Sequence, residues 1–395
     1  MCALFKDREK LTPRYIPANL PHRNDEVNFL NSFFRESLTY PSKSHLKTVQ
    51  IVGAVGSGKT AVARLFGDRF ESEARRQNVN LKNIYINLKL HGDSKVILYR
   101  HLTRQVAPEI YSTSLSAEEL LYNLIKFLKE YRRYLVLTLD EIDYFIKRTQ
   151  DSDIFYDMSR LEEFIEPGET SNFLGIIFIA RGREFQKLLD EAALSSLGNI
   201  VLEFKPYTYN QLIDILEERV KEAFNPGTVP LEIIEFVADI TSKPPVKGDV
   251  RYALDILLYS GNLAEYEGYD RILPEHVRKV VNITYPTITE EDIYYLPEKD
   301  KIVLLSIAKL LKNDRKPYTS LKEIRQSCAI LCEQLKLKQM STEEIENSVD
   351  DLHDRNIIEI KSLSSIGITG IPVEALDQFL ENLMKRLESG LIERT

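Results

Sequence analysis

The chain has 395 residues, 43% of them hydrophobic and 28% charged, and a formal net charge of −8 at pH 7. This length predicts two or three domains, and the longest apolar run, at 173–180, is far shorter than the ~20 residues that span a bilayer. The negative charge excludes nucleic-acid binding through a global positive field, so any such binding needs local basic patches.

Two short features bear on the compartment. The N-terminal stretch 1–15 is charged too early for a secretory signal. Cys328 and Cys332 lie one helical turn apart with no histidine or further cysteine beside them, which indicates buried thiols rather than a zinc site. We therefore expect a cytoplasmic protein.

The pattern G-x4-G-K-T occupies residues 53–60, after a strand-like run at 48–52 and before a helical pattern. Glycines at these positions let backbone N–H groups turn toward phosphate oxygens beside a helix N-terminus, which favours anions. We predict that Lys59 reaches the β- and γ-phosphates of ATP and that the Thr60 hydroxyl is a ligand of Mg²⁺. The predicted nucleotide-binding residues of this loop are Gly53, Val55, Gly56, Ser57, Gly58, Lys59, Thr60 and Ala61.

A nearly continuous apolar strand at 134–139 ends in Asp140 and Glu141. Such a strand is typical of the middle of a parallel sheet, and its carboxyl end is where α/β sheets bind their ligands. We predict that Asp140 holds Mg²⁺ and that Glu141 orients and polarises the attacking water, which makes both residues catalytic. Asp143 is a third acid to which the sequence assigns no role.

Three further strands are predicted at 82–86, 175–180 and 199–204, with helical stretches between them. This alternation of strands and helices indicates an α/β fold built on a parallel sheet.

Together these motifs resemble those of the AAA+ ATPases and, more narrowly, of the archaeal relatives of the origin recognition complex subunits. The resemblance spans nearly the whole chain, and the segments 11–17 and 20–23 look like the box that wraps the adenine in these initiators. It implies that the base and the ribose are bordered by Tyr15, Ile16, Pro17, His22 and Arg23. The alternative for His22 and Arg23 is that they are ordinary polar residues at the start of a helix.

The segment 205–219 looks like the entry to the family's small helical lid, and 247–255 looks like its sensor-2 helix. The resemblance implies that Tyr207 and Arg251 contact the nucleotide, with Arg251 in a catalytic sensor role. An arginine there would pair with the γ-phosphate, and losing that contact on hydrolysis would release the lid. The alternative is a surface arginine paired with Asp255, one turn later.

Two positions depart from the family pattern. A polar residue, often asparagine, usually follows the fourth strand, whereas this chain has Arg181, which would contact phosphate or pair with a surface acid. The stretch 190–198, where relatives often carry an arginine finger, contains no arginine. Because such a finger is worth roughly 10³ to 10⁵ in rate, we expect hydrolysis to be slow or partner-dependent, with ATP serving as a conformational switch.

The C-terminal part is typical of a winged-helix domain. The sequence predicts helices at 300–311 and from 319, a third helix that opens with a capping box of Ser341 and Glu344, and a hairpin at 356–371. A final amphipathic helix follows at 376–387. We expect a nucleotide-binding domain at 1–205, a helical lid at 206–295 and the winged helix at 296–395.

The charges of this domain argue against strong DNA binding. Its third helix, which reads the groove in such domains, carries mostly acids, and phosphates repel them. The resemblance also implies a DNA-contacting helix near 94–104, just after the second strand. The candidate DNA contacts are Lys95, Arg100 and Arg104 in that helix, and Lys316, Lys322, Arg325, Lys336, Lys338 and Lys361 in the C-terminal domain. A solvated face explains the C-terminal cluster about as well as DNA does, and the alternative for 94–104 is an ordinary surface helix.

The resemblance implies an origin-binding replication initiator. It would engage duplex DNA beside a paralogous initiator and help recruit or load the replicative helicase. Two alternatives stay open: an AAA+ regulatory ATPase whose winged helix docks protein, and a mobile-element or clamp-loading ATPase that works as a ring. The stretch 190–198 argues against the ring-forming class, because it offers no arginine to a neighbouring subunit.

Overall fold

The computed structural model describes residues 3–92, 94–149, 153–159, 161, 171–284 and 290–388. Contacts within the chain divide it into two compact units. The sheet unit comprises Ile16–Gln211 and Lys247–Val250, and the helical unit comprises Met1–Tyr15, Leu212–Val246 and Arg251–Thr395. In the part of the chain that is described, no helix is both long and apolar enough to cross a membrane.

A parallel sheet of five strands, in the order β2-β3-β4-β1-β5, forms the centre of the sheet unit. Its strands are β1 (Lys47–Gly53), β2 (Leu81–Asn87), β3 (Tyr134–Asp140), β4 (Phe173–Ala180) and β5 (Val201–Phe204). The three inner strands are buried along most of their length, which explains their continuous runs of apolar residues. The predicted α/β fold and all five predicted strands are confirmed.

The register of the sheet determines which side chains meet at its carboxyl edge. Asn87 at the end of β2 pairs with Asp140 at the end of β3, and Asp140 pairs with Ile179 of β4. Because the strands are parallel, residues that follow β1, β3 and β4 gather at one edge.

Eight helices of the sheet unit are described. They are α1 (Asn24–Thr39), α2 (Lys59–Arg76), α3 (Leu88–His91), α4 (Lys95–Val106), α5 (Ala117–Glu130), α6 (Ile142–Thr149), α7 (Asp153–Ser159) and α8 (Glu191–Ser196). Val136 of β3 belongs to the core that α1 and α2 cover, and Leu137 belongs to the core that α4 and α5 cover. Since successive strand residues point to opposite faces, the two cores lie on the two sides of the sheet.

The first part of the helical unit consists of four helices and an N-terminal segment. The helices are α9 (Tyr209–Ala223), α10 (Leu231–Ser242), α11 (Val250–Tyr266) and α12 (Pro274–Thr284), the first and third of which begin within the sheet unit. Phe5 pairs with Phe224 in an isolated β-bridge, and their rings stack with centroids 4.5 Å apart. The amide of Leu4 also donates a hydrogen bond to Glu265 of α11.

The second part has the order of elements that defines a winged helix. It contains α13 (Glu290–Tyr294), α14 (Glu298–Asp314), β6 (Tyr318–Thr319), α15 (Leu321–Gln334), α16 (Thr342–Asp354), β7 (Glu359–Ser362), β8 (Ser365–Gly367) and α17 (Val373–Glu388). Its three strands form a sheet in the order β6-β8-β7. The capping box of Ser341 and Glu344 opens α16, as predicted.

Two details of the winged-helix prediction were wrong. Thr319 forms strand β6 instead of opening the second helix, because Ser320 is the residue that caps α15. The hairpin is also shorter than predicted, since β8 ends at Gly367 and the next apolar residues, Ile368 and Ile371, are buried in the core. The hydrophobic pattern of these residues reports their burial rather than strand pairing.

Arg278 of α12 joins the two parts of the helical unit. Its side chain is 1% exposed, and it donates hydrogen bonds to the backbone oxygens of Ile368 (2.7 Å), Pro317 (3.1 Å) and Lys316 (3.3 Å). Burial lowers the pKa of this arginine to about 10, and the nearby carboxylate of Glu275 opposes that shift. A buried cation with this many acceptors binds the winged helix to α12.

Candidate nucleotide site

The loop between β1 and α2 has a conformation that only glycine adopts without strain at two positions. Gly56 has a φ of +69° and Gly58 a φ of +93°. A Cβ on Gly56 would lie 1.8 Å from the Asp249 carboxylate, and a Cβ on Gly58 would lie 2.5 Å from the Tyr207 hydroxyl. The loop is therefore packed closely by neighbouring segments, and α2 begins directly after Gly58.

Lys59 is the first residue of α2 and is only 8% exposed. Its ammonium group donates hydrogen bonds to the carbonyl oxygens of Gly53 (2.6 Å) and Ala54 (2.7 Å), so the side chain folds back over the loop. Burial lowers the pKa of Lys59, and the Asp140 carboxylate opposes that shift. A buried cation held only by loop carbonyls suits an anionic ligand above the loop.

Asp140 joins the loop to the end of β3. One carboxylate oxygen accepts hydrogen bonds from the Thr60 hydroxyl (2.7 Å) and the Tyr85 hydroxyl (2.6 Å), and the other accepts from the amide of Glu141 (2.8 Å). A hydroxyl and a carboxylate in contact at this edge are the oxygen ligands that Mg²⁺ prefers. The residues predicted to hold the metal, Thr60 and Asp140, thus lie together.

Tyr85 of β2 is a further residue of the site that no sequence motif indicated. Burial raises the pKa of its hydroxyl and the Asp140 carboxylate adds to the shift, so Tyr85 remains a hydrogen-bond donor. The guanidinium of Arg64, on α2, lies 4.1 Å from the centroid of its ring. The only sequence signal for this contact is that Tyr85 lies near the carboxyl end of a strand adjacent to β3.

Glu141 and Arg181 form an ion pair at the same edge. The Nε of Arg181 lies 3.1 Å from one carboxylate oxygen of Glu141, and Nη2 lies 3.3 Å from the other. These hydrogen bonds raise the pKa of Arg181. Of the two interpretations of Arg181 that the sequence left open, pairing with an acid is the one that this structure shows.

Asp143 lies behind this pair, at the start of α6, and is 8% exposed. Burial raises the pKa of its carboxyl group, and the negative charge of Glu141 adds to the shift. The backbone amide of Arg181 donates a hydrogen bond to Asp143 and opposes the shift. Asp143 thereby helps to hold the chain at the residue that follows β4.

Arg23 supports the loop from the other side. It donates hydrogen bonds to the carbonyl oxygens of Ser57 (3.0 Å) and Lys205 (2.7 Å), and its guanidinium lies 4.3 Å from the ring centroid of Tyr207. Arg23 is 6% exposed, so its observed contacts are with the protein rather than with solvent. The predicted contacts of Arg23 and Tyr207 with a ribose or phosphate stay predictions.

The remaining predicted nucleotide contacts lie at two places. Ile16, Pro17 and His22 belong to the sheet unit. Val55 lies between Gly53 and Gly56, and Ala61 lies in the first turn of α2. Tyr15 belongs to the helical unit, where its ring lies 4.0 Å from the Lys10 ammonium and 4.9 Å from the Arg219 guanidinium.

Arg251 lies at the start of α11 and is assigned to the helical unit. Its neighbour Val250 belongs to the sheet unit and donates a backbone hydrogen bond to Gly56 (3.3 Å). The segment that precedes Arg251 therefore reaches the loop, while the sensor role of Arg251 itself stays a prediction.

Comparisons with known proteins extend over nearly the whole chain. Three family models match it: an AAA domain at 43–189, a Cdc6 AAA+ ATPase-type lid domain at 213–282 and a CDC6 C-terminal winged helix domain at 291–369. The ORC1-type DNA replication protein 1 of Aeropyrum pernix is 32% identical over 91% of this chain and 89% of that protein. The chain belongs to the family of ORC1-type DNA replication proteins.

Further relatives of this ORC1-type chain agree with that assignment. The ORC1-type DNA replication protein of Pyrococcus horikoshii is 28% identical over 91% of this chain and 84% of its own length. The crystal structure of Cdc6p from Pyrobaculum aerophilum covers 98% of this chain, with 26% identity and a TM-score of 0.84. The structure of Aeropyrum pernix ORC1 in complex with DNA covers 98% of this chain, with 28% identity and a TM-score of 0.64.

In this ORC1-type chain, several candidate DNA contacts are already used within the protein. Lys95 of α4 pairs with Glu118 (3.0 Å) and Asp157 (3.5 Å), and Arg100 donates to the carbonyl oxygen of Thr113. The helix predicted near 94–104 is confirmed as α4, and Arg104 is exposed on it.

The winged-helix candidates divide in the same way. Arg325 of α15 pairs with Glu346 of α16, and Lys361 of β7 pairs with Asp239 at 3.2 Å. The exposed candidates are Lys316, Lys322, Lys336, Lys338 and Lys361, the last of which is in the ion pair with Asp239.

Proposed function

We propose that this chain is an ATP-dependent replication initiator that binds origin duplex DNA and uses slow ATP hydrolysis as a conformational switch. The observation that carries the proposal is the 2.7 Å hydrogen bond between Thr60 and Asp140, which joins the phosphate-binding loop to the acidic end of β3. This contact brings together Lys59, Thr60, Asp140 and Glu141, the four residues that binding and hydrolysis of MgATP require.

Each residue has a distinct task in this proposal. Lys59 binds the phosphates as a buried cation, and Thr60 and Asp140 hold Mg²⁺. Bound Mg²⁺ supplies positive charge that stabilises the developing negative charge on the phosphate oxygens. Glu141 orients the attacking water and accepts its proton, and Arg251 distinguishes ATP from ADP.

Lys59→Ala tests the nucleotide site. We expect the variant to lose at least about 100-fold in affinity for ATP, because the phosphates lose their buried cation. Titration calorimetry measures this loss, and Lys126→Ala is the matched control because Lys126 is an exposed lysine on α5. Tight ATP binding by Lys59→Ala would overturn the assignment of the loop.

Arg251→Ala tests the sensor role separately. We expect it to reduce the difference between the affinities for ATP and ADP, because only ATP carries the γ-phosphate. An unchanged difference in the same calorimetric titrations would remove Arg251 from that role.

DNA binding is supported by family membership and by the relative from Aeropyrum pernix whose structure was solved with DNA. The exposed lysines Lys316, Lys322, Lys336 and Lys338 are suitable for phosphate contacts. We expect modest affinity that a paralogous initiator increases, because α16 is acidic. Footprinting on origin and random duplexes, with and without such a paralogue at two salt concentrations, tests this expectation.

Recruitment or loading of the replicative helicase is the final step of the proposal. It rests on family membership alone and is tested by co-sedimentation of the helicase with the chain on origin DNA, with ATP and with ADP.

A second candidate function is an AAA+ regulatory ATPase whose winged helix docks protein. It is favoured by the pairing of α16 acids with cations of the domain itself, Glu344 with Lys299 at 2.8 Å and Glu346 with Arg325. These pairs use cations that a DNA-reading domain would otherwise present to phosphates. No DNA protection at either salt concentration, even with the paralogue, would favour this candidate.

A further inference from the structure

Arg181 occupies both carboxylate oxygens of Glu141, the residue to which the proposed function assigns water activation. The two contacts, of 3.1 and 3.3 Å, have the forked geometry that an arginine makes with a carboxylate. Such charge-assisted pairs are roughly twice as strong as neutral hydrogen bonds. Both oxygens of the Glu141 carboxylate therefore accept hydrogen bonds from the same guanidinium.

The backbone at both partners holds this arrangement in place. Glu141 has a φ of +62°, a conformation that non-glycine residues rarely adopt. Its amide donates to Asp140, and the amide of Arg181 donates to the buried Asp143. The backbone of both partners is therefore fixed at this edge, while the Arg181 side chain is 51% exposed and that of Glu141 is 24% exposed.

The surroundings provide a reason for the pair to open. Arg181 follows Ala180, which pairs with Val52 at the end of β1, so Arg181 lies at the same carboxyl edge of the sheet as the loop that leads to Lys59. An anion bound at Lys59 brings negative charge to this edge and competes with Glu141 for the Arg181 guanidinium. ATP carries one more phosphate than ADP and is the stronger competitor.

We propose that Arg181 is a positioning residue that restrains Glu141 and thereby limits the rate of ATP hydrolysis. Glu141 becomes available to water only in the fraction of molecules in which Arg181 has moved to another anion. This inference rests on the proposed ATPase function and adds the means by which hydrolysis is kept slow. It requires no partner protein and no arginine from another subunit.

The first experiment measures steady-state hydrolysis by Arg181→Gln. We expect kcat to rise at least about fivefold with KM for ATP little changed, because Glu141 is released while the phosphate-binding loop is intact. Arg181→Lys should give an intermediate rate, since an ammonium group cannot form the same fork. The matched control is Arg183→Gln, which removes an exposed arginine paired with Glu203 at 3.5 Å and should leave kcat unchanged.

The double variant Arg181→Gln with Glu141→Gln separates release of Glu141 from other effects. We expect it to lose the gain completely, because the gain depends on that carboxylate. An equal or lower kcat in Arg181→Gln, with ATP still bound, would overturn the proposal and would favour a direct phosphate contact by Arg181.

The second experiment examines the pair in nucleotide-free protein. Carbodiimide-driven labelling of carboxylates, followed by mass spectrometry, should show Glu141 labelling rise about threefold in Arg181→Gln, because a paired carboxylate is a poor target. The exposed Glu333 of α15 is the internal reference. Equal labelling of Glu141 in both proteins would overturn the proposed restraint, whether or not the chain binds ATP. Failure to bind ATP, with the difference in labelling still present, would overturn the proposed function instead.

Discussion

The nucleotide site and helix α16 both carry several charged residues, but they arrange them in opposite ways. At the site, Lys59 and Asp140 are 8% and 5% exposed, and they come from segments about eighty residues apart. On α16, the acids Glu343, Asp350 and Asp354 are exposed. Burying a charge costs free energy unless a ligand or partner compensates, whereas an exposed charge costs almost nothing. Converging buried charges are therefore the stronger functional signal.

Arg278 shows that burial alone is not sufficient evidence of a ligand site. This arginine is as buried as any residue of the nucleotide site, yet backbone oxygens of the winged helix satisfy its donors. Lys59 differs because its acceptors are two carbonyls of its own loop, beside carboxylates that a metal ion would share. The two cations differ in the origin of their hydrogen-bond acceptors: those of Arg278 come from residues distant in sequence, whereas those of Lys59 come from its own loop. Four predictions test this distinction, from the largest expected effect to the smallest.

The largest effect is expected for Glu141→Gln. Hydrolysis should fall by roughly 10² to 10⁴, the usual contribution of a general base, while ATP affinity is retained. Single-turnover hydrolysis and calorimetric titration measure the two quantities. If hydrolysis is unchanged, another residue activates the water, and the convergence of charges at this edge does not identify the base.

Arg278→Met should reduce the free energy of unfolding by about 3–5 kcal/mol, because it leaves three backbone oxygens without their donor and removes the cation beside the largely buried Glu275 carboxylate. Urea denaturation measures the change. Arg271→Met is the matched control, since Arg271 is exposed just before α12 and its loss should cost less than about 0.5 kcal/mol. Similar losses of unfolding free energy in both variants would show that the buried contacts of Arg278 stabilise the fold no more than an exposed arginine does.

Tyr85→Phe should raise the Mg²⁺ concentration needed for half-maximal ATP binding about fivefold. This change corresponds to ~1 kcal/mol, the usual contribution of one hydrogen bond, here the one to Asp140. Titration of Mg²⁺ at fixed ATP measures the shift. The fold should be unaffected, because the ring that Arg64 stacks on is kept. An unchanged magnesium dependence would limit Tyr85 to a packing role.

The smallest effects are expected on the winged helix. Replacing Lys322 and Lys336 by Ala should weaken binding to all duplexes alike, and the slope of log affinity against log salt should fall by about 1 for each phosphate that is no longer neutralised. Arg325→Ala should change neither quantity, because Arg325 is paired with Glu346. A larger loss of affinity for Arg325→Ala than for the lysine variant would show that the ion pair between Arg325 and Glu346 breaks when DNA binds. The ion pairs of α16 would then neutralise less of its negative charge than the structure indicates.

Much of the fold and the centre of the site could be predicted because they depend on local patterns. The glycines of the loop, Lys59 and Thr60 all lie within the eight residues 53–60, so their joint task is visible in one short segment. The apolar run before Asp140 indicates a buried parallel strand, and such strands end where ligands bind. The capping box at Ser341 located the start of α16 to the residue, because capping depends on neighbours in sequence.

The interactions that Tyr85 and Arg181 make at the site could not be predicted in this way. Tyr85 meets Asp140, and Arg181 meets Glu141, because the register of β2, β3 and β4 brings their carboxyl ends side by side. Residue type and spacing do not indicate which side chain of one strand faces which of the next.

By itself, the sequence determined that this chain is an α/β P-loop protein with a winged helix, since periodicity, turns and caps are short-range properties of the chain. Tertiary structure alone decided which charges are neutralised. Arg23 and Arg325 were both predicted to contact a ligand, yet each donates hydrogen bonds to groups distant in sequence, as the buried Arg278 does. A charge acts on a ligand only where folding leaves it without a sufficient partner, and that balance depends on distances in three dimensions.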